Sequence, residues 1–247
     1  MHDDDQAEQV KERFARTAER IAARERANRD ALREKVRQFV PLTGDERVLD
    51  SGTGTGALAF ALAPLVREVV AVDIVPELLQ LGRQEVADFP NVTFVEADAN
   101  RLPYDLASFD LTGCHRTLHH VARPELAVAE MARVTKLGGL VLIVDQIAPA
   151  DPLEAVELDR FEQARDPSHT RLLPDGDVHA LLDANGLVLR ASRHEVEFRD
   201  LDNYLDLAGC EGAARDTARS TAPAELAVDI GWYLAARPLP RHVSFRA

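Results

Sequence analysis

A glycine-rich turn between an apolar run and a helical stretch is the first feature of this sequence that could do chemistry. Gly52, Gly54 and Gly56 alternate with small residues shortly after the apolar residues Val48 and Leu49. Glycines are needed where a backbone approaches a ligand more closely than a Cβ permits, or where φ is positive. The turn therefore predicts a binding site for a flat or extended ligand.

Two acidic residues follow later apolar runs at spacings that suit a nucleoside. Asp73 lies 17 residues after Gly56, within the usual reach of a carboxylate that accepts hydrogen bonds from ribose hydroxyls. Asp98 follows the next apolar run, where its carboxylate could accept from an adenine amino group. The glycines and Asp73 leave two ligands open, a dinucleotide or another adenosine derivative.

Asp50, directly before the turn, favours a cationic adenosine ligand. A pyrophosphate at a helix N-terminus is an anion that a neighbouring carboxylate would repel, whereas an ammonium or sulfonium group would be attracted. The Tyr-x-x-x-Lys pair of short-chain dehydrogenases is also absent from the sequence, because Ser108, Ala208 and Arg237 stand four residues after the three tyrosines. A nicotinamide-dependent oxidoreductase is therefore kept only as a minor alternative.

The elements that must position these residues alternate along the chain between β-type runs and helical stretches. The predicted strands cover residues 47–50, 69–73, 92–95, 109–112 and 140–144, and the predicted helices between them cover 58–66, 76–89 and 124–134. Such alternation predicts a doubly wound α/β fold whose mostly parallel sheet binds its ligand outside the carboxyl ends of the strands. We therefore expect Asp50, Asp73 and Asp98 to converge around the glycine turn and hold a positively charged adenosyl donor.

The flanking segments extend this core to a seven-stranded sheet. Residues 6–40 read as one long helix or two shorter ones, ended by Pro41 and Gly44. Residues 147–172 are rich in Asp and Pro and predict an irregular lid or substrate loop between strands 5 and 6. The remaining chain predicts a helix over 174–185, a strand over 187–198, helical structure over 201–220 and a strand over 228–236.

These motifs, in this order, resemble the class I S-adenosylmethionine-dependent methyltransferases over roughly residues 11–238. The matching segments are Asp50-x-Gly52-x-Gly54-x-Gly56, Asp73, Asp98–Ala99, residues 102–110 and residues 133–139, with Leu137 where the family usually has proline. The resemblance is strongest to a small-molecule branch of this family, which includes the ubiquinone/menaquinone biosynthesis C-methyltransferases. It implies a Rossmann-like fold, S-adenosylmethionine as cofactor and S-adenosylhomocysteine as product. The cofactor-binding residues that it implies are Asp50, Gly52, Thr53, Gly54, Gly56, Asp73, Ile74, Asp98, Ala99 and His115.

Methyl transfer to a phenol or an activated ring carbon needs a base, a role that histidine can fill near neutral pH. His119 and His120, beyond the fourth strand, are candidates for it, and the alternative is packing beside the cofactor with bonds to the backbone. Arg165 and His169 are candidates for clamping a carboxylate or phenolate of the acceptor, and the alternative is a local cluster in which Arg165 pairs with Asp166 or Asp159. The i,i+4 pair of His115 and His119 lacks an evident third ligand, so no metal is predicted.

Composition limits the partners. The sequence has 29 Lys and Arg against 42 Asp and Glu, and the net charge of −13 disfavours nucleic acid as a substrate. No apolar run is long enough for a membrane span, and two cysteines far apart in sequence point to a reducing, cytoplasmic setting. Residues 11–37 hold ten Lys and Arg among five acids, which predicts a solvated helix face, with an anion-binding or membrane-surface role as the alternative.

The sequence thus predicts an enzyme, a monomer or homodimer that methylates carbon, oxygen or nitrogen of a small-molecule acceptor. A protein of this fold that uses bound S-adenosylmethionine for another reaction, or only binds it, remains the main alternative. Residues 1–43 would form a helical arm or cap, residues 44–238 the cofactor-binding domain and residues 239–247 a tail. Within the domain, segments 147–172 and 200–222 would be insertions on the substrate side.

Overall fold

Strands and helices alternate along the chain much as the apolar runs predict. The computed structural model describes residues 3–239, with side chains from residue 5 onward. The strands are β1 (Arg47–Ser51), β2 (Glu68–Asp73), β3 (Val92–Glu96), β4 (Phe109–His115), β5 (Thr135–Gln146), β6 (Val188–Phe198) and β7 (Ala227–Ala236). The α-helices are α1 (Asp3–Phe39), α2 (Ala57–Leu62), α3 (Pro76–Gln84), α4 (Pro124–Val134), α5 (Pro152–Arg165), α6 (Asp175–Ala184), α7 (Leu201–Ala208) and α8 (Gly212–Thr221). The predicted tail lies outside the described residues beyond position 239.

The described strands form one seven-stranded sheet in the order β3-β2-β1-β4-β5-β7-β6. Neighbouring strands among β1 to β5 pair in parallel, and β7 lies antiparallel between β5 and β6. This confirms the predicted Rossmann-like, mostly parallel sheet. Register places Asp73 beside Glu96, and His115 beside Val144, so the carboxyl ends of the parallel strands share one edge.

The N-terminal region forms one continuous helix, which settles the choice between one helix and two. α1 packs on α2, α3 and α7, and its Val36 joins the main apolar core together with Val40, which directly follows the helix. Ile21 and Ala18 bury a second patch against Leu78 of α3. The helix therefore lies along the carboxyl edge of the sheet and is held by apolar burial rather than by charge alone. None of the helices described is long and apolar enough to cross a membrane.

The structure corrects three sequence predictions of local structure. Residues 147–172 are not an irregular loop, because α5 occupies 14 of them and is capped by Asp151, whose Oδ1 accepts from the Leu153 N–H at 2.7 Å. The helical stretch over 201–220 divides into α7 and α8 around Gly209, whose φ is +65°. β5 begins at Thr135, so most of the turn expected over 133–139 belongs to the strand, with Gly138 at φ +83°.

Candidate functional site

The glycine turn after β1 has a backbone that side chains would not tolerate. Gly52 and Gly56 have φ values of +70° and +105°. A Cβ on Gly52 would collide with the side chain of Thr117, and a Cβ on Gly56 would lie 2.6 Å from Cε2 of Phe60. The glycines therefore allow two close contacts, one to the loop after β4 and one to the first turn of α2.

Asp73, the last residue of β2, is bound to the glycine turn. Its Oδ2 accepts from the Gly54 N–H at 2.7 Å and its Oδ1 from the Val75 N–H at 2.9 Å. Burial raises the pKa of this carboxyl, although the backbone donors oppose the shift. Each carboxylate oxygen keeps a second lone pair, so Asp73 can still accept from a ligand.

Asp50 lies under the turn rather than at the cavity. Its Oδ2 accepts from Oγ1 of Thr53 at 2.6 Å and from the Ala59 N–H at 3.0 Å. Its Oδ1 is buried without a hydrogen-bond partner among the described residues, and burial raises the pKa of Asp50 to about 7. The three acids therefore do not all meet at one surface. Asp73 and Asp98 line the cavity, whereas Asp50 supports the turn from behind.

A cavity of about 240 Å³ lies at the carboxyl edge of the sheet. It is lined by most of the residues singled out in the sequence: Gly52, Thr53, Gly54, Asp73, Ile74, Asp98, Ala99, His115, His119, His120 and Arg165. Asp50, Gly56 and His169 do not line it. The strand ends thus bring eleven of the fourteen predicted site residues to one space, as a ligand site at a parallel sheet requires.

His119 and Asp145 form a buried pair beside this cavity. Nδ1 of His119 lies 2.5 Å from Oδ1 of Asp145, while Oδ2 of Asp145 accepts from the Leu118 N–H at 2.6 Å. Burial alone would raise the pKa of Asp145, but the nearby His119 and the backbone donors bring it below its usual value. Nε2 of His119 lies 3.2 Å from Nε2 of Gln146. The imidazole is therefore fixed at both nitrogens.

His120 is fixed at one nitrogen only. Its Nδ1 lies 3.2 Å from the Ser168 carbonyl oxygen, and its ring packs edge-on against Phe14 with centroids 4.9 Å apart. Burial, followed by the neighbouring His119, lowers the pKa of His120 well below its usual value. His120 is therefore an uncharged imidazole, and no described residue is hydrogen bonded to its Nε2.

Arg165 and His169 each have an acidic partner within the fold. Arg165 pairs with Glu162 at 2.8 Å and stacks on Tyr204, with its guanidinium carbon 3.9 Å from the ring centroid. Its distance to Asp166 is 3.8 Å, so Glu162, which sequence reasoning did not name, is the nearer partner. Nε2 of His169 lies 2.9 Å from Oδ1 of Asp159. Of these two residues only Arg165 reaches the cavity.

Sequence reasoning predicted a cap over residues 1–43 but did not name the polar side chains of α1 that reach the cavity. Gln6, Arg13, Phe14, Ile21, Arg24 and Glu25 line the cavity. Glu25 accepts a hydrogen bond from Oγ1 of Thr55, and burial raises its pKa to about 7. The spacing of Phe14, Ala18, Ile21 and Glu25 puts this acid on the apolar face of the helix, a signal that was available in the sequence.

Two further charged or titratable residues, Arg116 and His115, lie at the end of β4 and line the cavity. Arg116 pairs with Glu197 of β6 at 2.6 Å. Burial, followed by the charge of Arg116, lowers the pKa of His115 to about 3, so this histidine is neutral. Within residues 3–239 no three His, Cys, Asp or Glu side chains are grouped as metal ligands would be.

Comparisons with known proteins identify the domain that carries this cavity. Residues 49–143 match the family model described as a methyltransferase domain. The chain is 36% identical over 145 residues to an uncharacterized methyltransferase, YcgJ, of Bacillus subtilis, which covers 58% of this chain and 57% of the relative. It is 37% identical over 138 residues to a demethylmenaquinone methyltransferase of Clavibacter sepedonicus, which covers 56% of each. The chain thus spans little more than half the length of these relatives.

Solved structures show the same fold over most of the chain. The structure of YcgJ from Bacillus subtilis has a TM-score of 0.76 at 24% identity and covers 85% of this chain and 99% of that one. The [4+2]-cyclase SpnF has a TM-score of 0.67 at 18% identity and covers 85% of this chain and 82% of that one. The fold therefore extends beyond the matched domain.

Proposed function

We propose that this protein, whose residues 49–143 match the family model described as a methyltransferase domain, transfers a methyl group from S-adenosylmethionine to a small-molecule acceptor. The observation that carries the proposal is the shared cavity of the glycine turn, Asp73 and Asp98. Carboxylates at the ends of β2 and β3 suit the hydroxyl and amino donors of an adenosine. The glycine turn and Glu25 stand where a positively charged amino-acid end would fit.

The residues present fit this donor in charge as well as in shape. Buried carboxyls with raised pKa values, such as Glu25 and Asp73, have their charged form stabilised by a cation placed beside them. When bound, S-adenosylmethionine supplies a methyl carbon already activated by its sulfonium. The chain then has to align the acceptor with that carbon and exclude water.

His120 is the group that we assign to the acceptor. Because its Nδ1 donates to the Ser168 carbonyl, Nε2 carries the lone pair and can accept a hydrogen bond or proton from an acceptor hydroxyl. His119 is placed beside it, with ring centroids 4.2 Å apart, and Asp145 fixes its orientation. His119 is accordingly a positioning residue for His120.

The predicted covering segments all contribute to the cavity, which supports their assignment to the substrate side. Phe14 comes from the arm at residues 1–43, Arg165 from segment 147–172, and Tyr204 from segment 200–222. We propose that these segments enclose the acceptor, while residues 44–238 supply the sheet and the donor site.

Transfer is tested with S-adenosylmethionine carrying an isotopically labelled methyl group and a panel of phenols, amines and carboxylic acids. We expect mass spectrometry to detect a labelled product and S-adenosylhomocysteine in equal amounts, and less of both with the Asp73→Ala variant when the donor is not saturating. A product that forms without label while the donor is not consumed would instead support a non-methylating reaction of this fold. Stabilisation by NADH but not by S-adenosylmethionine in thermal unfolding would contradict the donor assignment.

A further inference from the structure

Arg24 of α1 lines the cavity, and no described carboxylate is paired with it. Burial, followed by the nearby charges of Arg116 and Arg199, lowers the pKa of Arg24 to about 10. The guanidinium is therefore still charged at neutral pH, although its surroundings disfavour the charge. Arginine is planar and strongly charged, and it usually binds a carboxylate or phosphate when it is removed from water.

One carboxylate is shared by Arg116 and Arg199, which line the cavity together with Arg24. Glu197 lies 2.6 Å from a terminal nitrogen of Arg116 and 3.2 Å from one of Arg199. Burial alone would raise the pKa of Glu197, but the two guanidinium groups lower it to about 2. Glu197 is thus the carboxylate that forms ion pairs with both of these arginines, and no ion pair is left for Arg24 among the described residues.

Glu25, the next residue along the helix, forms no ion pair with Arg24. Its carboxylate accepts from Thr55 at the glycine turn, and burial raises its pKa to about 7, although the charge of Arg24 opposes this shift. Like charges held together at low dielectric repel each other, and an uncompensated buried charge is strongly unfavourable. The cluster of Arg24, Arg116 and Arg199 therefore lacks an anion that a ligand can provide.

The position of the cluster indicates which ligand that is. Arg116 follows β4 and Arg199 follows β6, whereas Asp73 and Asp98 follow β2 and β3. The arginines therefore stand on the opposite half of the cavity from the acids that suit adenosine. Arg199 also donates to Oε1 of Gln146 at 3.0 Å, and Nε2 of Gln146 lies 3.2 Å from His119. The cluster is thus continuous with the histidines assigned to the acceptor.

We propose that the methyl acceptor is a small organic acid whose carboxylate binds to Arg24 between Arg116 and Arg199. The proposal rests on the proposed function, because it takes this half of the cavity as the acceptor side. The amino-acid end of the donor also carries a carboxylate, so the same chemistry has a second source. The experiment separates the two.

The probes are benzoate and benzamide, which have the same shape but differ in charge. Each is titrated by calorimetry into the free protein and into protein saturated with S-adenosylhomocysteine. We expect benzoate to bind roughly tenfold or more tightly than benzamide in both states, because a charged hydrogen-bonded pair is gained. Arg24→Met should abolish the preference and Arg24→Lys should retain part of it. Arg16→Met, an exposed change on the same helix, should leave it intact.

Equal binding of benzoate and benzamide, or an undiminished preference in Arg24→Met, would overturn the proposal. Loss of benzoate binding in the presence of S-adenosylhomocysteine, but not of 5′-methylthioadenosine, would also overturn it, since the donor's own carboxylate would then occupy Arg24. The titration of benzoate and benzamide into free protein gives an interpretable result even if S-adenosylhomocysteine does not bind. A failure of the donor assignment is therefore distinguishable from a failure of the acceptor assignment.

Discussion

Oδ1 of Asp145 lies 2.5 Å from Nδ1 of His119, and both side chains are almost fully buried. The same carboxylate accepts from the backbone N–H groups of Leu118 and Thr117 at 2.6 and 3.2 Å. One residue at the end of β5 therefore orients the imidazole and the loop after β4 together. That loop contacts the glycine turn, because Oγ1 of Thr117 donates to the Gly52 carbonyl oxygen at 3.1 Å.

Asp145→Ala is expected to lower the free energy of unfolding by about 3–5 kcal/mol, because it leaves buried donors without an acceptor. Asp145→Asn should lose less, since one carbonyl oxygen remains. As a control, Asp151→Ala removes only an exposed helix cap and should cost about 1 kcal/mol. Urea denaturation of the three variants measures these differences. Equal losses for Asp145→Ala and Asp151→Ala would contradict the role given to the buried pair.

Asp73→Ala should weaken the binding of S-adenosylhomocysteine by about 1.5–3 kcal/mol, the contribution of a charged hydrogen bond. Calorimetry measures the affinity. Thermal unfolding measures how much stability the variant loses with the hydrogen bonds to Gly54 and Val75, so a loss of affinity can be distinguished from a loss of folded protein. Glu77→Ala, an exposed change in the first turn of α3, is the matched control and should bind as the wild type does. An unchanged affinity in a folded Asp73→Ala protein would remove Asp73 from the donor site.

Gly52→Ala should abolish donor binding and destabilise the fold more than Gly186→Ala does. Both glycines have positive φ, +70° and +68°, so each substitution costs about 1–2 kcal/mol in backbone strain. Only at Gly52 does the added Cβ collide with a neighbour, Thr117, whereas the space around Gly186 is open. Denaturation and calorimetry on the two variants test this difference. Similar costs at the two positions would mean that the close approach to Thr117 is unimportant.

Glu25 should make donor affinity depend on pH. Its folded pKa of about 7 lies above the ordinary value of 4.5, so the folded protein binds more protons between these values. The carboxyl therefore contributes a loss of stability as pH rises from about 4.5 to 7, with no further change above that range. A cationic donor favours the ionised form, so S-adenosylmethionine affinity should rise by up to about tenfold per pH unit below 7.

Glu25→Gln is the matched variant for this pH effect. It should flatten the pH dependence of S-adenosylmethionine affinity between pH 5.5 and 7 and increase the relative stability of the protein at pH 8. Asp50, whose pKa is also raised to about 7, is unchanged in the variant and accounts for the pH dependence that remains. Parallel curves for wild type and Glu25→Gln would show that another group titrates.

Arg13→Met should destabilise the protein by about 3–5 kcal/mol, since Arg13 and Asp166 form a buried pair at 2.6 Å. Burial alone would raise the pKa of Asp166, but Arg13 and its other cationic neighbours hold it well below its usual value. This contribution is therefore present near neutral pH and is lost as pH falls below about 4. Arg37→Met removes a fully exposed pair and should change the stability much less than Arg13→Met does. A small loss for Arg13→Met would contradict tight anchoring of α1.

The sheet and its ligand edge could be predicted from the sequence because β–α alternation is a local signal. The helix α5 was missed because its buried face mixes the apolar Leu158 and Phe161 with the charged Glu162 and Arg165, so the sequence shows no clear apolar stripe there. At the site, the position of Asp50 could not be predicted correctly from the sequence. Its place before the glycines is that of a donor-binding acid, yet its hydrogen bonds to Thr53 and Ala59 hold it under the turn.

The role of α1 also required the structure. Its charges predict a solvated face, which holds for pairs such as Arg37 with Glu34. Arg24 and Glu25 differ because α1 crosses the carboxyl edge of the sheet, and that crossing depends on contacts far apart in sequence. Periodicity can place Glu25 on the apolar face, but only tertiary packing brings it to Thr55.

Arg24 and Glu25 are consecutive residues of one helix, yet they serve opposite halves of the cavity. A rigid helix that advanced by one residue would move by about 1.5 Å and turn by about 100°, which would take both side chains out of place together. Occupancy of either half should therefore restrain the helix for the other. Donor and acceptor are then expected to bind cooperatively, in a preferred order set by whichever ligand first fixes the register of α1.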